Sequence, residues 1–139
     1  MSSHTKQIIY TGKTSTTGGR NGASRSSDGN LDIALSAPGS TGKGTNPEQL
    51  FAAGWSACFI GAIGKAAGKL ETALPVGLAV DAEVDLCNTD GAFSLQARLN
   101  VRLPGLAPET ARALVELAHQ TCPYSKMSRD NIDVEINLI

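Results

Sequence analysis

Two cysteines are the residues of this chain best suited to chemistry. Cys58 lies in the middle of a run without a single charge, Gln49 to Gly64, inside "NPEQLFAAGWSACFIGAIGKAAGK". Cys122 immediately precedes Pro123. A thiol in an apolar run reads in two ways. It is a small hydrophobe, since free cysteine is among the most buried residue types, or it is a nucleophile held in a dry pocket. Cys122 occupies an N-cap-like position on the turn that Pro123 opens. A helix N-terminus makes a thiolate available, although an ordinary cap is the plainer alternative. Together the two thiols suggest a redox pair. Cys87 is different: its parity puts it with Asp81, Glu83 and Asp85 on the polar face of a strand, so it reads as incidental. Three cysteines are an odd number for a secreted disulfide framework.

A buried thiol needs a cation nearby, because desolvation disfavours its charged form. Lys65 and Lys69 lie more than a turn away on the same stretch, and lysine heads prefer water. Arg20, in "TTGGRNGASRSSDG", is the better candidate, because glycines on both sides allow its backbone a close approach and guanidinium stays charged. A solvated turn arginine is the alternative. Glu48 could hold Arg20 by a bidentate pair, or simply complement the start of a helix. Glu48 and Cys58 would be roughly 15 Å apart along one helix axis. They share a site only if Arg20 spans the gap, the helix bends, or two chains contribute.

The elements that must position these residues follow from patterning. "KQIIYTGKTSTTGG", the short strand after the "GGRNG" turn, and "NLDIALSA", with Leu31, Ile33 and Leu35 on one side, make an antiparallel meander. "PGSTGKGTNP" reads as a flexible connection to a helix with Asn46 at the N-cap, Pro47 at N1 and Glu48 in the first turn. "VGLAVDAEVDL" and "FSLQARLNVRL" form a hairpin around "NTDG", with Val80, Ala82, Val84, Leu86, Phe93, Leu95, Ala97, Leu99 and Val101 inward. An amphipathic helix from Pro108, a short turn or helix at Pro123 and a last strand, "IDVEINLI", complete the order βββ-α-ββ-α-β, an α+β fold with antiparallel sheets around a long central helix. On that helix Leu50, Gly54, Ala57, Gly61, Gly64 and Gly68 fall on one face. Glycine in a helix costs about 1 kcal/mol relative to alanine, so another backbone is expected against this stripe, and an intertwined dimer becomes attractive.

The chain has 139 residues, 41% hydrophobic and 18% charged, with a net charge of −1. This bounds a single globular domain over 1–139. The balanced charge argues against nucleic acid or an anionic membrane as partner. The N-terminus, "MSSHTKQIIYTGK", has no signal-peptide core, and the uncharged run is shorter than the ~20 residues a bilayer span needs. A soluble cytoplasmic protein is expected.

The motifs "TGGRNG", "SSDGNLD", "GTNPEQLFAAGWSACFIGA" and "AHQTCPYSKMSRDNIDV" closely resemble the organic hydroperoxide resistance (Ohr) proteins of the OsmC/Ohr superfamily, in order over essentially the whole chain. "CPYS" and the arginine of the "GGR" turn resemble the Ohr branch rather than the OsmC branch. Trp55 stands where tyrosine is common, and Cys87 lies outside the pattern. The resemblance implies an intertwined homodimeric thiol peroxidase with sites at the subunit interface. It implies a peroxidatic Cys58, a resolving Cys122, and Arg20 and Glu48 assisting the thiolate. It further implies alkyl and fatty-acid hydroperoxides as substrates and lipoyl dithiols (a lipoylated protein or dihydrolipoamide) as reductant, with no metal, haem or flavin. Phe51, Trp55, Ile60, Tyr124 and Met127 are expected to line an apolar pocket, though each also reads as core. Competing readings are an OsmC-type peroxidase with other peroxide or reductant preference, a non-catalytic redox sensor, a structural dimer with inert thiols, and a metal site. The last would use His119, Cys122 and Cys58 but lacks a good fourth ligand, since His4 lies in a terminus expected to fray.

Overall fold

The protein is described by a computed structural model over residues 5–139; His4 lies outside the described residues. The chain forms two compact units, Met1–Pro47 and Glu48–Ile139.

In the first unit, β1 (Thr14–Thr17), β2 (Ala23–Ser26) and β3 (Asp32–Ala34) form the expected antiparallel meander, in the order β1-β2-β3. Between β1 and β2 the chain reverses through a 3-10 turn, Gly19–Asn21. Gly18 and Gly19 have φ of +74° and +56° there, in the left-handed region where a side chain is strained. A Cβ on Gly22 would collide with the Thr17 carbonyl. Arg20 therefore sits at the tip of a turn that few other sequences could make.

Two expectations change. The strand expected across "KQIIYTGKTSTT" begins only at Thr14, opposite Ser26 where β2 ends, with one further bond from the Ser27 amide to the Lys13 carbonyl at 3.0 Å. Ile8, Ile9 and Tyr10 are consequently exposed. The connection before the long helix is not loose either. Leu35 and Thr45 form a parallel bridge, Thr45 donates to the Ala34 carbonyl at 3.0 Å, and the Gly44 amide donates to Ser36 Oγ at 2.8 Å.

The second unit is built on α1 (Pro47–Lys69), whose start leaves Asn46 in the capping position. β4 (Ala79–Thr89) and β5 (Ala92–Arg102) pair along their whole length around Asp90-Gly91. Both turn residues have positive φ, 51° and 88°, as a two-residue hairpin requires. α2 (Pro108–Thr121) and α3 (Pro123–Ser128) follow, and β6 (Asp133–Leu138) closes the sheet. This sheet is mixed rather than antiparallel: β6 lies parallel to β5. The α2–α3 return is the crossover that a parallel neighbour requires.

One buried cluster joins Trp55, Phe59 and Ile63 of α1, Ala97, Leu99 and Val101 of β5, and Leu114, Ala118 and Cys122 around α2. By length and composition α1 could cross a bilayer, so run length alone does not exclude a span. Its aromatic face is committed to this protein core instead, with Trp55, Phe59 and Ile63 fully buried. One packing expectation fails in an instructive way. Leu86 and Phe93, expected inward, are 44% and 71% exposed, because the hairpin end extends beyond the cluster. In one copy, and among the described residues, nothing lies within 4 Å of a Cβ built on Gly61, Gly64 or Gly68, a face left open for the second chain that the stripe suggests.

Candidate active site

The two thiols come together. Cys58 projects from the middle of α1, and Cys122 is the single extended residue (φ −63°, ψ 124°) between α2 and α3. Its amide still bonds Ala118 of α2 at 2.8 Å, and its carbonyl accepts from Lys126 of α3 at 2.9 Å. The backbone is thereby held on both sides of the kink. The Cys122 side chain makes no capping bond; its sulfur lies 3.3 Å from that of Cys58 instead. Cys122 is fully buried and Cys58 half-buried, and both are reduced.

The expected benefit of a helix start goes to the other thiol. The backbone amide of Tyr124, in the first turn of α3, hydrogen-bonds Cys58 and favours its thiolate. Larger effects oppose it: burial pushes the Cys58 thiol up from its ordinary value, and the adjacent Cys122 pushes the same way.

Aromatic side chains on the same two helices, α1 and α3, pack against one another. Phe51 stacks on Trp55 with ring centroids 5.2 Å apart and tilts against Tyr124 at 5.9 Å. Gly54 faces the Tyr124 ring, and a Cβ there would stand 3.4 Å from its hydroxyl, so at this one glycine the close neighbour is a side chain. Phe51 and Tyr124 keep exposed surface, whereas Trp55 is fully buried. Ile60 is half-buried and Met127 is 57% exposed; neither joins the ring cluster.

Ser125 went unnoticed in the sequence. It is fully buried and accepts a hydrogen bond from Trp55 Nε1 at 3.2 Å. The signal was there: a lone tryptophan in an apolar helix needs an acceptor for its N–H, and "CPYS" supplies one.

Arg20 is half-buried in its glycine turn in the first unit, and Glu48 is half-buried in the first turn of α1. Cys87 is half-buried on β4, opposite Ser94. Among the described residues no three His, Cys, Asp or Glu side chains are grouped to hold a metal ion. His119 has its Nδ1 buried without a partner, and burial with the nearby Arg129 charge lowers its pKa.

An α+β chain that holds two reduced thiols in contact, one reachable and one enclosed, belongs to the class of dithiol proteins. This chain is a member of the OsmC-like protein family, whose pattern it matches over residues 40–137. It is 43% identical over 137 residues to an organic hydroperoxide resistance protein of Xanthomonas axonopodis pv. citri, covering 96% of each chain. The crystal structure of the organic hydroperoxide resistance protein OhrB of Bacillus subtilis superposes with a TM-score of 0.89 at 39% identity, covering 95% of this chain and all of that one. An organic hydroperoxide resistance protein of Legionella pneumophila gives 0.88 at 39% identity, with 95% and 98% covered.

Proposed function

We propose that this chain is a single-domain thiol peroxidase that reduces organic hydroperoxides to alcohols. One observation carries the reading: the sulfur of half-buried Cys58 stands 3.3 Å from that of fully buried Cys122. The attacking thiol must meet substrate, and the resolving thiol must wait out of its reach. The names of the relatives support the same conclusion, since they are organic hydroperoxide resistance proteins.

Cys58 thiolate attacks one peroxide oxygen, and the O–O bond breaks. The alkoxide takes a proton and leaves as alcohol, so Cys58 becomes a sulfenic acid. The Cys122 sulfur then displaces that oxygen as water, forming the Cys58–Cys122 disulfide. An external dithiol, for which we propose a lipoyl group, opens the bridge by exchange and is itself oxidised. Burial works against the thiolate on which the first step depends. Arg20 is therefore the proposed cation beside Cys58, stabilising first the thiolate and then the charge on the parting oxygens, and Glu48 orients its guanidinium. Phe51 and Tyr124 offer an apolar wall for an alkyl tail, backed by buried Trp55, with Ile60 and Met127 further out. No prosthetic group is required by this sequence of steps.

We further propose that the working form is a homodimer in the cytoplasm. The open glycine face of α1 and the exposed Leu86 and Phe93 are surfaces for a second copy.

The test is intact mass after one equivalent of cumene hydroperoxide. Wild type is expected to lose two hydrogens, Cys122→Ser to gain one oxygen on Cys58, and Cys58→Ser to react little. Normal peroxide consumption by Cys58→Ser would return Cys58 to the core and end the peroxidase reading. Repeated turnover with dihydrolipoamide separates an enzyme from a one-shot sensor.

A further inference from the structure

Where α3 crosses α1, four residues interlock. Cys58 meets Cys122 at 3.3 Å, and Trp55, three residues before Cys58, donates to Ser125, three residues after Cys122, at 3.2 Å. Residues three apart share a helix face. Trp55 and Cys58 therefore share a face of α1, while Cys122 stands at the N-cap of α3 and Ser125 lies in its first turn, so the two contacts run in opposite directions along the two segments. Trp55, Cys122 and Ser125 are all fully buried. α3 itself has only six residues, with extended residues Cys122 and Arg129 at its ends. A helix that short does not hold its own place, so side-chain contacts must fix where it lies.

Resting on the dithiol reading above, we propose that Trp55 and Ser125 are positioning residues for closure of the Cys58–Cys122 bridge. Their hydrogen bond is insensitive to redox state. It keeps α3 in register on α1 while the neighbouring contact closes to the bond length of about 2.05 Å and its required dihedral. The consequence is kinetic. A sulfenic acid on Cys58 is captured by Cys122, releasing water, or is oxidised by a second peroxide to the sulfinic acid, which ends the cycle. The Trp55–Ser125 contact decides that competition by keeping Cys122 in place.

Diamide tests this without any peroxide. One thiolate adds across its N=N bond, the other displaces the hydrazine, and the two thiol protons leave on nitrogen. Bridge formation is followed by quenched mass spectrometry on the full chain. Ser125→Ala and Trp55→Phe are each expected to slow closure about tenfold, and the double variant about as much as either single one. Ser125→Thr, which keeps the hydroxyl, is expected to close like wild type. Thermal unfolding checks that each variant is folded, and Trp55→Phe decides the matter if Ser125→Ala is not. Folded variants that close within about twofold of wild type overturn the proposal. In a second arm, excess cumene hydroperoxide is expected to leave more sulfinic Cys58 in Ser125→Ala than in wild type; equal sulfination counts against the proposal. A wild-type chain that closes with diamide yet ignores cumene hydroperoxide refutes the peroxidase reading, while the diamide rates still decide the positioning role.

Discussion

In the proposed reaction Cys58 must lose its proton in a place that resists the loss. Burial raises its pKa above the ordinary 9.0, and only the Tyr124 amide pulls it back. If Arg20 supplies the missing charge, Arg20→Met should slow peroxide consumption about 100-fold near neutral pH. The deficit should shrink as pH rises, because hydroxide then makes the thiolate that the guanidinium made before. Second-order rates from about pH 6 to about pH 10 would show it; a deficit constant across that range would give Arg20 a role in binding only. Glu48→Gln should cost less, about tenfold, if its proposed role is to orient Arg20. At this scale the sequence was legible in residue type more than in geometry. Cys58 and Cys122 stood out as thiols in unusual settings, and their contact is a tertiary fact no spacing encodes. The helix-start amide was assigned to Cys122 because chain order places it there, whereas the fold aims it at Cys58. Ser125 was invisible because its role exists only across from Trp55.

The elements were easiest to read where pattern and covering agreed. Alternation marked both strands of the β4–β5 hairpin, and its two-residue turn gave the register. It failed at Leu86 and Phe93, where an apolar pattern continues past the part of the sheet that α1 and α2 cover. It failed again at β1, whose upstream residues have β propensity but no partner strand. The parallel β5–β6 pairing depends on the α2–α3 return, and strand composition does not reveal direction. The polar face of the sheet makes its own prediction. Arg98 forks onto Asp85 at 2.9 and 3.0 Å, and Gln96 adds a bond at 2.7 Å. Hydrogen bonds from Arg98 first and Gln96 second lower the Asp85 pKa from 3.8 to about 2. Its stabilising contribution is therefore complete above pH 3.8 and is lost as pH falls through about 2. Asp85→Asn should lower Tm at neutral pH and flatten its decline across that acid window. An unchanged slope in a thermal-melt series would show that the fork contributes nothing measurable.

The whole molecule leaves surfaces that one copy does not fill. Gly61, Gly64 and Gly68 present a face of α1 with no neighbour among the described residues, in a helix that would be more stable with alanine at each by about 1 kcal/mol. Such a face suits a partner at close range. If the proposed homodimer forms through it, Gly61→Leu and Gly64→Leu should shift the protein to monomer in light scattering, and peroxide turnover should fall with it if the partner completes the site. A variant that remains dimeric would move the interface elsewhere, with Leu86 and Phe93 the next surface to alter. One more property belongs to the chain as a whole: Trp55 is its only tryptophan. That indole is fully buried, stacked on Phe51 and about one helical turn from Cys58, the proposed redox thiol. Tryptophan emission from this protein, excited at the red edge where tyrosine does not absorb, therefore has a single origin, beside the Cys58–Cys122 pair. Its brightness should step each time the bridge forms or opens, and every turn of the cycle can be followed in real time without a label.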